Sequence, residues 1–257
     1  MLAVNNIGLS INGVKLLDDV SLELTAGSVT AVIGPNGAGK TSLLKAITNE
    51  VAVSSGSVIF NGKHIDHWSA HQRAAMMAVL AQGSQLNFPF TVEEVVALGR
   101  TPHRSGVERD KEIVAQALKL VDCEYLRNRI FTRLSGGEKQ RVQFARVLAQ
   151  IWEPSDDGEQ LLVLDEPTAS FDLAHQQMML ETLTTLTNKN IAVLIVLHDL
   201  NLAISCADQI AMIGCGQLQA AGLPGQVVNP ENILRVFGVN IDIVAHPITG
   251  APVVIPL

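Results

Sequence analysis

The chain opens on apolar positions alternating with smaller or polar ones, the two-residue period of a half-buried strand. Ile7, Leu9 and Ile11 form one such set and Val20, Leu22 and Leu24 another, with Asn12-Gly13 between them as a hairpin turn signal. Val29–Ile33 is mostly apolar, which suits a strand buried on both faces. A helix is expected over Ser42 to Ile47, ending near Asn49, and a strand over 57–60 runs into an Asn61-Gly62 turn. A further strand covers 76–80. From about Pro89 to Gln150 the period becomes helical. Thr91 and Glu94 there make a capping-box pattern, and Ile113, Ala117 and Leu120 recur at helical spacing within 108–121. Strands return at 161–164 and 191–197, with a helix over 174–187 between them.

Strands alternating with helices predict an α/β fold with a mainly parallel sheet covered on both faces. The strands before Val29 form an antiparallel part. The helical block, about 89–150, reads as an insert into a core made of 1–88 and 151–257, the whole being one domain. The acidic stretch 152–160 reads as a solvated connection. The tail 239–257 is apolar but rich in proline, so packed irregular chain or short edge strands are expected there.

Composition narrows the classes. With 47% hydrophobic residues among 257 the chain can bury a sizeable core, and 17% charged residues do not make a disordered one. A net charge of −7 argues against general nucleic-acid binding, which needs clustered cations. Cys123, Cys206 and Cys215 lack metal-ligand spacing and are expected to be reduced thiols of an intracellular protein. The N-terminus lacks the basic flank and long apolar stretch of a signal peptide. The longest apolar runs fall short of the roughly 20 residues that span a bilayer. Any membrane role is therefore expected to come through a partner.

One loop carries the sharpest chemistry. Gly34, Pro35, Asn36, Gly37, Ala38, Gly39, Lys40 and Thr41 match the P-loop pattern in full, between a predicted strand and a predicted helix. Its glycines let successive N–H groups converge on phosphate oxygens, and the helix that follows points its positive end the same way. Lys40 supplies a cation to the β- and γ-phosphates, the Thr41 hydroxyl can ligate Mg²⁺, and Ser42 completes the loop. The apolar strand 161–164 then ends in Asp165 and Glu166. Asp165 would face the P-loop, where a carboxylate holds Mg²⁺, and Glu166 points to where an attacking water would lie, as a general base. His198 follows the strand 191–197, at the sheet edge where open α/β sheets collect ligand contacts, and could position that water. His64, His67, His71, His103, His175 and His246 have no such placement and read as structural.

Leu134-Ser-Gly-Gly-Glu138 followed by Lys139-Gln-Arg141 is, by itself, a capping box opening a helix that runs to Gln150. With the P-loop before it and the acid pair about thirty residues after it, it resembles the signature of the ATP-binding subunits of ABC transporters. The resemblance covers roughly residues 2–220. It implies that Ser135, Gly136 and Gly137 bind the γ-phosphate of ATP held by an opposite subunit, so the working unit is a homodimer. Gln82 resembles the Q-loop glutamine, a Mg²⁺ or water contact that senses the membrane partner. Ala169-Ser-Phe-Asp172 resembles the D-loop, where Asp172 acts across the dimer, and His198-Asp-Leu200 resembles the switch histidine. Counting back from Asp18-Asp-Val-Ser21 puts Ile11 near the family's adenine-stacking aromatic, so the base would pack on aliphatic surface; ATP is expected and GTP stays open.

Phe88 to His103 resembles the segment found in importers of iron chelates, haem and cobalamin. Within that group Leu148-Ala-Gln-Ile-Trp152, the acidic loop and the ending around His246-Pro247 resemble the haemin importers, with ferric siderophore or cobalamin as alternative cargo. The resemblance implies two integral-membrane permeases as partners, a periplasmic binding protein acting indirectly, no nucleic acid, and a peripheral place on the cytoplasmic face of a bacterial inner membrane. A soluble ABC ATPase acting on DNA or ribosomes is the distant alternative. The interval from Gly39 to Ser135 lacks the heptads of the first, and a single P-loop does not suit the second.

Overall fold

Asn12 and Gly13 both take positive φ, 51° and 79°, the backbone a two-residue hairpin of the right twist demands. They join β1 (Leu2–Ile11) to β2 (Val14–Leu24), with Ile11 opposite Val14. In this computed structural model, which describes residues 1–83, 86–248 and 250–257, the chain continues through β3 (Val29–Ile33), α1 (Lys40–Ile47), β4 (Ser55–Phe60), β5 (Lys63–His64), α2 (Ala70–Met76) and β6 (Met77–Leu80). Three helices follow: α3 (Val92–Ala97), α4 (Val107–Leu120) and α5 (Gly136–Gln150). The strands then resume as β7 (Leu161–Asp165), α6 (Leu173–Thr187), β8 (Ala192–Val196), α7 (Leu200–Cys206), β9 (Gln209–Gly214) and β10 (Gln217–Gly222). The chain ends through α8 (Pro224–Val227), α9 (Pro230–Phe237), β11 (Ile241–Ala245) and β12 (Pro252–Pro256).

The main sheet has six strands in the order β10-β9-β3-β8-β7-β6, parallel throughout except for the β9–β10 hairpin at one edge. Its central strands are buried at every position, and their alternate residues feed two separate cores. Ala31, Leu162, Leu164, Val193 and Ile195 face α3–α6, and with them the tail residues Ile233, Ile241 and Val254. Val32, Leu161, Val163, Leu194 and Val196 face the other way, onto α1 and the antiparallel sheet β2-β1-β4-β5. Covering both faces is why these strands read as continuous apolar runs. The helices α3–α5 share their core with the sheet, so the helical block is anchored to it by a common set of buried side chains.

One expectation changes. The stretch 152–160 is not merely solvated: Glu153 accepts from Arg100 Nη2 at 3.0 Å and from Arg109 Nε at 2.8 Å, and buried Gln160 donates to the Glu153 carbonyl at 2.9 Å. Arg100 is itself buried and also bonds Asp110 and the Ala149 carbonyl, so the acid of this loop closes a network under α4. The tail resolves into the two-stranded β11–β12 sheet, which Asn201 of α7 clamps through both the N–H and the carbonyl of Val254. Among the described residues no helix is long and apolar enough to cross a membrane.

Candidate functional site

The phosphate loop leaves β3 through a close approach. A Cβ on Gly34 would lie 2.1 Å from the Ile213 carbonyl of β9, so only glycine lets the chain pass. Gly39, with φ 106°, ends the loop, and α1 starts at Lys40 without a side-chain cap on its first turn. The unpaired N–H groups of that turn and the helix dipole point at the loop's own concavity. Lys40 is only 6% exposed; its Nζ donates to the carbonyls of Gly34 at 2.8 Å and Pro35 at 3.1 Å. Burial lowers its pKa, against the opposing charges of Glu166 and Asp165. The floor of the loop is bonded to the β9–β10 turn, since Gly216 N–H donates to the Ala38 carbonyl while the Gly216 carbonyl accepts from Asp18 of β2.

The sheet order explains the rest of the site. β7 lies between β6 and β8, and β8 lies beside β3, so residues just past the carboxyl ends of these strands converge beside the loop. Asp165 at the end of β7 is 4% exposed; its Oδ2 accepts from Thr41 Oγ1 at 3.2 Å while its Oδ1 is buried with no protein partner. Desolvation raises its pKa, with the Glu166 charge adding and the Thr41 bond, Lys40 and His198 opposing. A buried carboxylate with one unanswered oxygen beside a hydroxyl and a phosphate loop fits a hard divalent cation. Among the described residues no group of three or more His, Cys, Asp and Glu could hold a metal ion.

A stability prediction follows from Asp165. Its raised pKa means that the unfolded chain ionises first as pH rises, so above that range the buried charge weakens the fold. Asp165→Asn is expected to raise the melting temperature at neutral pH, which calorimetry checks.

Glu166 adopts a left-handed backbone, φ 52°, with its N–H donated to the Val196 carbonyl of β8 at 3.2 Å. Non-glycine residues rarely hold that conformation unless their surroundings impose it. It sets the side chain between the two flanking strand ends: Oε2 accepts from Gln82 Nε2 at 2.6 Å, and Oε1 pairs with His198 Nε2. A carboxylate so placed, one-seventh exposed at the cavity wall, can take a proton from water.

The cavity that these groups share measures about 780 Å³ and is lined by Asn36 to Ser42, Gln82, Glu166 and His198. Val14, Lys15 and Leu16 of β2 and Cys215 and Gly216 line it as well. Ile11 is not among its lining residues, but it stands directly opposite Val14, which is; Val14 and Leu16 add further aliphatic surface. The signal for Cys215-Gly216 was a glycine-flanked turn, Gly214 to Gly216, which carries no phosphate pattern of its own.

Gly34, Pro35 and Asp165 stand behind this lining, bonded to Lys40 and Thr41, whereas Ser135, Gly136, Gly137 and Asp172 stay off it. Ser135, Gly136 and Gly137 begin α5, where Ser135 Oγ accepts from Glu138 N–H at 3.3 Å and Glu138 Oε2 accepts from Ser135 N–H at 2.8 Å, the expected capping box. Asp172 caps α6 by accepting from His175 N–H at 2.9 Å, a bond that holds its carboxyl below the usual range. One chain therefore joins the P-loop to Gln82, Asp165, Glu166 and His198, and leaves the signature helix end and Asp172 elsewhere.

Residues 17–169, more than half of the chain, match the family model described as ABC transporter. The chain is 48% identical over 259 residues to the Hemin import ATP-binding protein HmuV of Gloeobacter violaceus, covering all of this chain and 94% of that one. Among solved structures it is similar to an ABC transporter described as of metal-chelate type, in an inward-facing conformation, at TM-score 0.82 and 24% identity over 100% of this chain and 97% of that one. It is also similar to a dimeric post-hydrolysis state of the ATP-binding cassette MJ0796 bound to ADP and Pi, at TM-score 0.78 and 23% identity over 87% of this chain and 99% of that one.

Proposed function

The chain belongs to the ABC transporter family as an ATP-binding, ATP-hydrolysing subunit, and from that premise we propose that it powers the import of haemin. The near full-length likeness to a hemin import ATP-binding protein carries this choice of cargo. In this reading the subunit works as a homodimer on the cytoplasmic face of the inner membrane, beneath two permeases that a periplasmic binding protein loads. The helical block 89–150 is its arm within a single domain. Haemin never touches it.

The residue roles are part of the same proposal. The P-loop amides and Lys40 hold the phosphates, and Val14 and Leu16 pack the base. Thr41 and Asp165 would hold Mg²⁺, which supplies a Lewis acid for the phosphate oxygens. Glu166 takes the proton of the attacking water, while His198 and Gln82 fix its two oxygens so that the free lone pairs point into the cavity. Ser135–Gly137 and Asp172 lie off their own cavity, which suits service to the ATP of a second chain through a helix N-terminus.

The cargo is tested by reconstituting the subunit with its co-purifying permease in vesicles. Haemin-loaded binding protein is expected to drive ATP-dependent uptake. Uptake driven instead by a ferric siderophore or a cobalamin would reassign the cargo and leave the ATPase roles untouched.

A further inference from the structure

The helix whose start lies off its own nucleotide cavity is nevertheless fastened to the loop that carries Glu166. Gln140, one turn into α5, donates its side-chain N–H to the Pro167 carbonyl at 3.0 Å and reaches the Glu166 carbonyl at 3.4 Å. Beside it, a Cβ on Gly137 would come within 2.9 Å of the Ser170 carbonyl, so helix and loop are also in close backbone contact. The capping box at Ser135 and Glu138 is local and gives the helix end no bond to that loop. On its other side Glu166 is pinned by Val196 and by its left-handed backbone, so its carboxylate and its carbonyl move as one piece. An amide resting on two successive carbonyls senses where that piece stands.

We propose that Gln140 is a positioning residue that couples the two nucleotides of the dimer. It sets Ser135–Gly137, which serve the neighbour's ATP, according to the position of Glu166, which serves the chain's own. This rests on the two-chain site proposed above. The coupling is a difference in free energy between two arrangements of one rigid connection, and it acts equally in both directions.

The test uses the full-length Glu166→Gln protein, with Gln140 further changed to Met, which has similar length and no N–H, or to Lys, which keeps donors for the carbonyls. Light scattering reads the ATP concentration needed for half-maximal dimerisation. A fluorescent ATP analogue reads one-chain affinity in dilute protein, and calorimetry reads folding. Gln140→Met is expected to raise the ATP requirement about tenfold, the equivalent of one charge-free hydrogen bond, with one-chain affinity and melting temperature little changed. Gln140→Lys should recover most of the loss. Equal dimerisation of the Met variant overturns the coupling, and so does a loss that Lys fails to relieve or that comes with a lowered melting temperature. If Glu166→Gln alone does not dimerise with ATP, the two-chain site itself falls and this role falls with it.

Discussion

Glu166→Gln is expected to lower ATP turnover by about 10²–10⁴-fold, the range that a positioned general base supplies, while ATP stays bound. The substitution keeps the length of the side chain and its place between Gln82 and His198. What it removes is the proton acceptor. The P-loop and Lys40 do not depend on it for their own contacts, since Lys40 rests on the carbonyls of Gly34 and Pro35. Bound ATP that is not cleaved should therefore accumulate and hold two chains together, so the same sample ought to elute at twice the monomer mass with ATP and at the monomer mass with ADP. Normal hydrolysis by the variant would remove Glu166 from the base role.

Lys40→Ala should weaken ATP binding by about 10–100-fold, which is about 1.5–3 kcal/mol for hydrogen bonds to a charged group. The ammonium is buried at the root of the loop, where its desolvation already lowers its pKa. Replacing it by Met, which keeps the buried stem, should give the same loss of affinity without lowering the melting temperature, because a desolvated charge is removed and the chain it packed with is kept. Titration with a fluorescent ATP analogue and a thermal melt separate the two effects. Unchanged affinity would contradict the assignment of the loop.

Much of this was legible because the site is built from strand ends. An apolar run stops, and the next residue is at the cavity or bonded to its lining: Gly34 after Ile33, Asp165 after Leu164, His198 after Leu197. Period and composition locate such boundaries directly, and the sheet order then does the rest, placing Glu166 between two neighbours that lie 84 and 32 residues away in sequence. What sequence reading missed depends on partners far along the chain. The β9–β10 hairpin carries a weaker pattern than the central strands, and its place under the phosphate loop follows from pairing with β3 that no local signal encodes. Glu153 read as solvated because its two arginine partners lie 53 and 44 residues earlier.

The turn at Gly216 has one more consequence. It is bonded at once to the floor of the phosphate loop and to β2, and it sits at the edge of the main sheet, where pairing has a single neighbour and opens first. Fraying there and losing grip on nucleotide are then the same event. On warming, this protein should fall silent before it melts, and ATP, by closing that edge, should act as its own preservative.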